Sequence, residues 1–301
     1  MDVRQLQYFL AVVDEGGVHP AAEKLFVAQP SVSQSLQSLQ RDLGAELFTR
    51  TGRRLQLTAA GEALIAPARQ VLHWMELSRA HVEAVNGLRT GRLVLATMPS
   101  QAVDPLPSVI DRFVRRYPMV QISIRAAGTP QTVMSLVRSG GVELGIMAVT
   151  ATPDAEDLVV HPLTRQGFIV VSCREANLPA RGPLTYDQLE GQRLIIGQPG
   201  TGMRRVADQV IATNRSTIAV VETEHREAVL PMVINGTGIA IMAEAWRALA
   251  REAGLVVHDL VTDERLEASV VHRDVDLSPA ARAFLLFAAP AAAPAHSKVD
   301  P

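Results

Sequence analysis

The stretch from Ala21 to Arg54, AAEKLFVAQPSVSQSLQSLQRDLGAELFTRTGRR, limits the fold of this 301-residue chain more than any other. It predicts a short helix, a tight turn, a second helix over about 29–43 and a basic loop. Val32, Leu36, Leu39 and Leu43 recur at helical spacing and form one apolar stripe. The opposite face carries Gln34, Gln37 and Arg41, flanked by Ser33 and Ser38. Solvated helix faces usually use Lys and Glu. Gln and Ser instead offer paired donors and acceptors, which is what reading base edges in a major groove requires. A helix-turn-helix is therefore expected, with Gln29, Ser31, Ser33, Gln34, Gln37 and Ser38 as its candidate base-reading residues. The competing reading of that face is a polar surface with no ligand.

The flanking residues complete a small head. Leu6, Phe9, Leu10 and Val13 form the stripe of a first helix, which Gly16-Gly17 ends. Pro20 and Pro30 suit helix starts, where a missing N–H costs nothing, and Gly44 suits a helix end. Leu55 and Leu57 alternate as a short strand, giving a winged helix-turn-helix. Arg50, Arg53 and Arg54 surround a glycine turn and suit phosphate contact or a narrow minor groove. A structural ion pair is the alternative for Arg50. The net charge of the whole chain is −2, and residues 1–58 hold as many acids as bases. A nucleic-acid-binding domain is usually basic. The DNA reading thus rests on pattern, with base contacts and dimer symmetry carrying more of the binding than overall charge.

Thr58 is a natural helix cap, and no strong turn signal follows until about Val85. Leu64, Ala68, Val71, Met75, Ser78, Val82 and Val85 alternate in steps of four and three, a heptad seam expected of a helix pairing with its copy in a dimer. Packing on its own domain is the alternative. Pro67 inside this helix removes one backbone bond. Gly87 and Gly91 bracket a hinge.

From Arg92 the pattern changes to strands alternating with helices: RLVLAT, VQISIRA and VELGIMAV, then FIVVSC, RLIIG, TIAVVE and GIAIMA, and finally ASVVH before LSPAARAFLLFAA. That alternation predicts an α/β fold with parallel sheets. Open parallel sheets bind ligands outside the strand carboxyl ends. Ser100 and Gln101, Thr129, and Gln198, Gly200 and Thr201 lie at such strand-to-helix turns. With Met147 as an adaptable apolar neighbour, they are the candidate ligand residues. Each hydroxyl alone is equally well read as a helix cap; three together favour a pocket. The free N–H groups and dipoles of helix starts favour an anion, and a carboxylate is the expected ligand. Arg204 stands near the expected rim.

The residues RQLQYFLAVVDEGG, the helix-turn-helix stretch and TGRRLQLTAAGEAL together resemble the N-terminal module of the LysR-type transcriptional regulators, nearly without gaps over the first 65 residues or so. The resemblance implies a winged helix-turn-helix over 1–58, a linker and dimerisation helix over 59–86, a hinge at 87–91 and an effector-binding region over 92–287. It implies that this region is periplasmic-binding-protein-like, with subdomain I at about 92–164 and 268–287 and subdomain II at about 165–267. Ser100, Thr129 and Thr201 match positions lining the family's effector pocket. The chain departs from the family at His19 and Pro20, where a hydroxyl and a basic residue are usual; this bears on one helix cap and one phosphate contact.

The expected function is regulation of transcription. A homodimer or homotetramer would bind a double-stranded operator, respond to a small-molecule effector without any cofactor, and have RNA polymerase as a further partner. The competing functions are a two-lobed soluble binding protein and an enzyme. No GxSxG, Walker A or HExxH motif occurs, and GTGIAI at Gly236 is a poor echo of a dinucleotide loop. The eight histidines show no metal spacing. The single cysteine, Cys173, ends an apolar strand and is expected to be buried. The absence of a signal-peptide pattern or a long apolar run leads to the expectation of a cytoplasmic protein without a membrane span. The Pro/Ala-rich tail over 288–301 is expected to be disordered.

Overall fold

In a computed structural model of the chain, residues 1–51, 54–84, 91–150, 155–179 and 181–288 are described. Arg53, Val85, the greater part of the expected hinge (87–90) and nearly all of the tail (289–301) lie outside them, as do the side chains of Arg50 and Arg54. The chain divides into two compact units, an N-terminal head with its long helix and a larger α/β unit.

The head opens with α1 (Val3–Glu15), α2 (Val18–Lys24) and α3 (Gln29–Leu43). Asp2 caps α1: its carboxylate accepts from the Gln5 N–H at 2.9 Å while the Gln5 side chain accepts from the Asp2 N–H at 2.7 Å. Gly16 and Gly44 end α1 and α3 with φ of 69° and 67°, a left-handed backbone that glycine adopts without a Cβ penalty. Gly17 precedes α2 without a side-chain cap, so Pro20 falls third in that helix rather than first. Leu6, Phe9, Val32, Leu36 and Leu39 are buried in one core. Burying each such side chain is worth about 1.5–3 kcal/mol. The wing is a hairpin of β1 (Phe48–Thr51) and β2 (Arg54–Leu57), with Phe48 opposite Leu57. The Gln40 side-chain oxygen accepts from the N–H groups of Leu47 and Phe48, which ties the end of α3 to the wing.

Thr58 caps α4 (Ala59–Ala84), its hydroxyl accepting from the Gly61 N–H at 3.1 Å and donating to the Glu46 carbonyl at 2.6 Å. This helix corrects the heptad expectation in part. Ala68 is buried in the head's own core, and Leu64, Ile65 and Leu72 pack against it. Arg69 reaches across to Asp14 on α1. Three short helices enclose too little apolar volume alone, so the start of the long helix completes their core. Val71, Trp74 and Val82 remain exposed.

The larger unit holds two five-stranded sheets. The chain runs through β3 (Gly91–Thr97), α5 (Pro99–Val103), α6 (Leu106–Arg116), β4 (Val120–Ala126), α7 (Pro130–Arg138), β5 (Leu144–Val149) and β6 (Leu158–Gln166). It then passes to β7 (Phe168–Ser172), β8 (Arg193–Gly197), α8 (Gly202–Thr213), β9 (Ile218–Thr223), α9 (Val229–Ile234), β10 (Ile239–Ala243), α10 (Arg247–Glu252) and β11 (Val256–Asp259). It ends with β12 (Leu266–Arg273) and α11 (Pro279–Ala288).

The first sheet has the order β4-β3-β5-β12-β6 and the second the order β11-β7-β10-β8-β9. Each contains three parallel strands followed by an antiparallel strand, β12 or β7. The sheets are therefore mixed, where a parallel arrangement was expected. The difference lies in β7 and β12, which run against the parallel group of their own sheet and pair on the outer side with β6 and β11, two strands not expected from the sequence. Strand β6 contains Pro162, which has no N–H for a ladder; it survives because β6 is an edge strand and its register shifts beside Ser269. Phe113 on α6 meets Phe284 and Phe287 on α11 edge-on, so the last helix packs on the first subdomain.

His161 and His272 face each other across β6 and β12, with ring nitrogens Nε2 2.9 Å apart. The His272 Nδ1–H donates to the Arg273 carbonyl at 2.7 Å, so its Nε2 accepts from His161. One proton between the Nε2 atoms satisfies the pair; a second there would set two donors against each other. Burial, and then the charge of His272, hold the His161 pKa below its ordinary 6.5. Between the folded and unfolded values the unfolded chain binds more protons. Stability should therefore be full above the unfolded value and fall as pH drops through it, until His161 is also protonated in the fold. Urea titrations at pH 7.5 and 5.5 should show this loss in the wild type and a smaller one in His161→Asn. Equal losses would remove the pair from the pH response.

Candidate functional site

On α3 the apolar stripe turns inward and leaves the opposite face free. Gln29, Ser31, Gln34 and Gln37 are exposed, and Ser33 and Ser38 are half-buried. None of the glutamine side chains is committed to a partner among the described residues, unlike Gln40 on the same helix. The turn before α3 holds a residue that the pattern did not single out. Phe26 is 96% exposed and has φ of 53°, a conformation uncommon for any residue but glycine.

In the larger unit, the turns at the strand carboxyl ends come together from both subdomains. The Gln198 amide lies over Gly128, where a Cβ would stand 2.3 Å from Nε2, so a side chain there would displace the amide. A Cβ on Gly200 would sit 3.8 Å from the Thr129 methyl. Gly202, opening α8, lies against Thr150 and Leu266 of the first sheet. Helix α5 packs on the second subdomain, where the Trp246 indole N–H donates to the Ser100 hydroxyl at 3.1 Å. The expected residues Ser100, Gln101, Thr129, Gln198, Gly200 and Thr201 thus line facing ends of the two sheets. Met147 does not share that position. It is fully buried in the core between the first sheet and α7.

The hydroxyls do structural work. Thr129 accepts from the Thr132 N–H at 3.2 Å as a helix cap. Thr201 caps α8 through the Arg204 N–H at 3.3 Å and donates to the Gln198 carbonyl at 3.1 Å. Gln101 is different. It is fully buried, and neither its amide oxygen nor its nitrogen has a partner among the described residues. An unsatisfied buried amide costs about 1–3 kcal/mol unless something supplies the missing bonds.

The sequence reading also missed Arg226, in a short 3-10 turn after β9. It is 5% exposed, and its guanidinium lies over Gly197, where a Cβ would stand 2.0 Å from Nη1. Its one hydrogen bond among the described residues runs from Nη2 to the Thr201 hydroxyl at 3.1 Å. Burial pushes its pKa down to about 10, so it stays cationic at neutral pH. Arg204, the arginine expected at the rim, is spent on Asp208 and Glu222, both at 2.8 Å. Those partners, Asp208 foremost, raise its pKa. Cys173 lies just past β7 and is half-buried rather than buried.

The chain matches two family models: the bacterial regulatory helix-turn-helix protein, lysR family, over residues 3–62, and the LysR substrate binding domain over residues 86–293. The chain belongs to the LysR family. Within that family it is similar to the transcriptional regulator ClcR of Pseudomonas putida, at 25% identity over 95% of this chain and 97% of that protein. It is also similar to the transcriptional activator CmpR of a Synechocystis species, at 26% identity over 80% of this chain and 78% of the relative. Among solved structures, a full-length OxyR variant from Pseudomonas aeruginosa superposes with a TM-score of 0.71 at 21% identity, covering 96% of this chain and 93% of that one. Full-length CbnR complexed with its target DNA gives 0.67 at 23% identity, over 96% and 99%. As a LysR-type regulator, the protein joins a DNA-binding head to an effector-binding domain. No helix among the described residues is long and apolar enough to cross a membrane.

Replacing Gln101 with Met keeps similar bulk and removes the unsatisfied amide. Unliganded Gln101→Met should be more stable than the wild type by about 1 kcal/mol in denaturant titrations. A loss of stability would mean that the amide is satisfied in solution.

Proposed function

We propose that Gln29, Ser31, Ser33, Gln34, Gln37 and Ser38 read operator bases while Arg50, Arg53 and Arg54 of the wing hold phosphates. We also propose that the apolar face of α4 formed by exposed Val71, Trp74 and Val82 with half-buried Met75 joins two copies. In this reading a small effector binds between the two subdomains at Ser100, Gln101, Thr129, Gln198, Gly200 and Thr201, and it carries a carboxylate. The observation that carries the effector site is the buried Gln101 amide without a partner, on a helix packed against the facing subdomain. Bound effector favours one arrangement of the subdomains because it binds that arrangement more tightly. The long helices pass the change to the heads, which act on chromosomal DNA in the cytoplasm.

The DNA assignment is supported by the uncommitted glutamines of α3. Gln34→Ala should erode discrimination between cognate and altered operators by about 1–3 kcal/mol at one base position. Binding isotherms on both DNAs across a salt series measure this. An unchanged specificity ratio would remove Gln34 from the reading face.

The dimer assignment is supported by the exposure of Val71, Trp74 and Val82 beyond the part of α4 that closes the head. Val71→Asp would place an unpaired charge in a helix–helix contact, at a cost of several kcal/mol. Light scattering should then find smaller species at concentrations where the wild type is oligomeric. If the oligomer is unchanged, the contact lies elsewhere.

A further inference from the structure

The cation at Arg226 is buried without a counter-ion. No carboxylate among the described residues pairs with it, and desolvation is the sole cause of its lowered pKa. Two other largely covered arginines solve the same problem differently: Arg204 is neutralised by Asp208 and Glu222, and Arg247 by Glu244 and Asp259. A guanidinium presents five N–H donors in a planar fork, and Arg226 uses one of them, on Thr201. Thr201 opens α8, a twelve-residue helix whose first N–H groups have no acceptor within the helix. The fork, the helix start and the glycine floor at Gly197 therefore adjoin one another.

We infer that Arg226 is the receptor for an oxyanion on the effector, held between the guanidinium fork and the start of α8, and that it makes the regulator selective for charged over neutral ligands. This rests on the effector site proposed between the subdomains and adds to it the residue that receives the ligand's charge. Two parallel N–H···O bonds match the paired oxygens of a carboxylate and equally those of a phosphate or sulfate. The ligand supplies the missing counter-charge, and the unpartnered Gln101 amide is left for a neutral polar group of the same molecule.

The test uses the full chain and its Arg226→Gln, Arg226→Lys and Gln101→Met variants. Thermal shift and calorimetry are run with acetate, benzoate, phosphate and sulfate against chloride at equal ionic strength, and with acetamide and benzamide. At least one oxyanion should bind the wild type tenfold or more tightly than it binds Arg226→Gln, the loss expected for one charge-assisted hydrogen bond. Arg226→Lys should fall between them, and the amides should not distinguish the variants. Whether the responding ion is a carboxylate or a phosphate or sulfate names the source of the charge. If no oxyanion stabilises the wild type more than Arg226→Gln, Arg226 is a packing residue and the inference fails. An amide that binds wild type and Arg226→Gln alike but loses affinity in Gln101→Met would overturn the oxyanion receptor and leave the site between the subdomains standing. An oxyanion lost in Arg226→Gln and unaffected in Gln101→Met would keep the receptor and remove α5 from the site.

Discussion

The α/β unit depends on an exchange of strands between its two sheets. The chain leaves the first sheet through β6 and, with only Gly167 between, enters the second as β7. It leaves the second through β11 and returns as β12. Strands β7 and β12 are the antiparallel members of their sheets, and each pairs with an outer strand and with the parallel group. Neither sheet can form without the other's chain arriving in the right place. The exchange brings turns at the carboxyl ends of the parallel strands together: Gly128 after β4 lies against Gln198 after β8, Thr150 after β5 against Gly202, and Ser100 after β3 against Trp246 after β10. Ala148, Leu266 and Ala268 of the first sheet belong to the core of the second. Two small apolar layers are thus coupled through a shared floor, while the space above it is lined by turn residues that can bind.

The head shows the same economy. Its three short helices and hairpin bury one core, but α4 must cover it. Ala68 and Leu64 serve the head, and the exposed apolar residues begin at Val71. A step of four and three is equally the signature of a helix packed on its own domain and of one packed on a partner. The spacing alone could not divide them; the burial of Ala68 and the packing of Leu64, Ile65 and Leu72 assign those residues to the head.

That distinction marks what was legible in the sequence. The bounds of α3, its glycine cap and the Thr58 cap were readable because local chemistry sets them: a period, a left-handed residue, a hydroxyl three residues before an N–H. The strand-to-helix turns of the cleft were readable for the same reason. Strand β6 was not, because Pro162 is a strand breaker everywhere except at an edge, and being an edge is a property of the finished sheet. The pairing of His161 with His272 and the burial of Arg226 depend on residues far apart in sequence. Arg204 and Arg226 look alike as letters. The first is neutralised by acids on its own helix and on β9, whereas the second pairs with no acid among the described residues. Met147 was placed at the ligand because methionine adapts to irregular apolar pockets, but its strand is buried on both faces and its side chain fills the core beside α7.

In the proposed effector site, Gln101 and Arg226 would give a physical basis for a response to ligand. A regulator needs an effector that binds one arrangement better than another, since tight binding alone shifts nothing. The Gln101 amide is buried without a partner and the Arg226 cation without a counter-ion among the described residues, which weakens the arrangement that buries them. A ligand that supplies an acceptor for the guanidinium and a partner for the amide removes that penalty only where both groups face it together. Its differential affinity then comes from restoring bonds that the fold leaves unmade, and it is largest for the ligand whose charge and polar group match both. Groups already satisfied, such as the Ser100 hydroxyl beneath Trp246 and the Thr201 cap, hold the turns in place while this happens. In this view the selectivity of the cleft lies with the two residues the fold does not satisfy, and its shape with those it does.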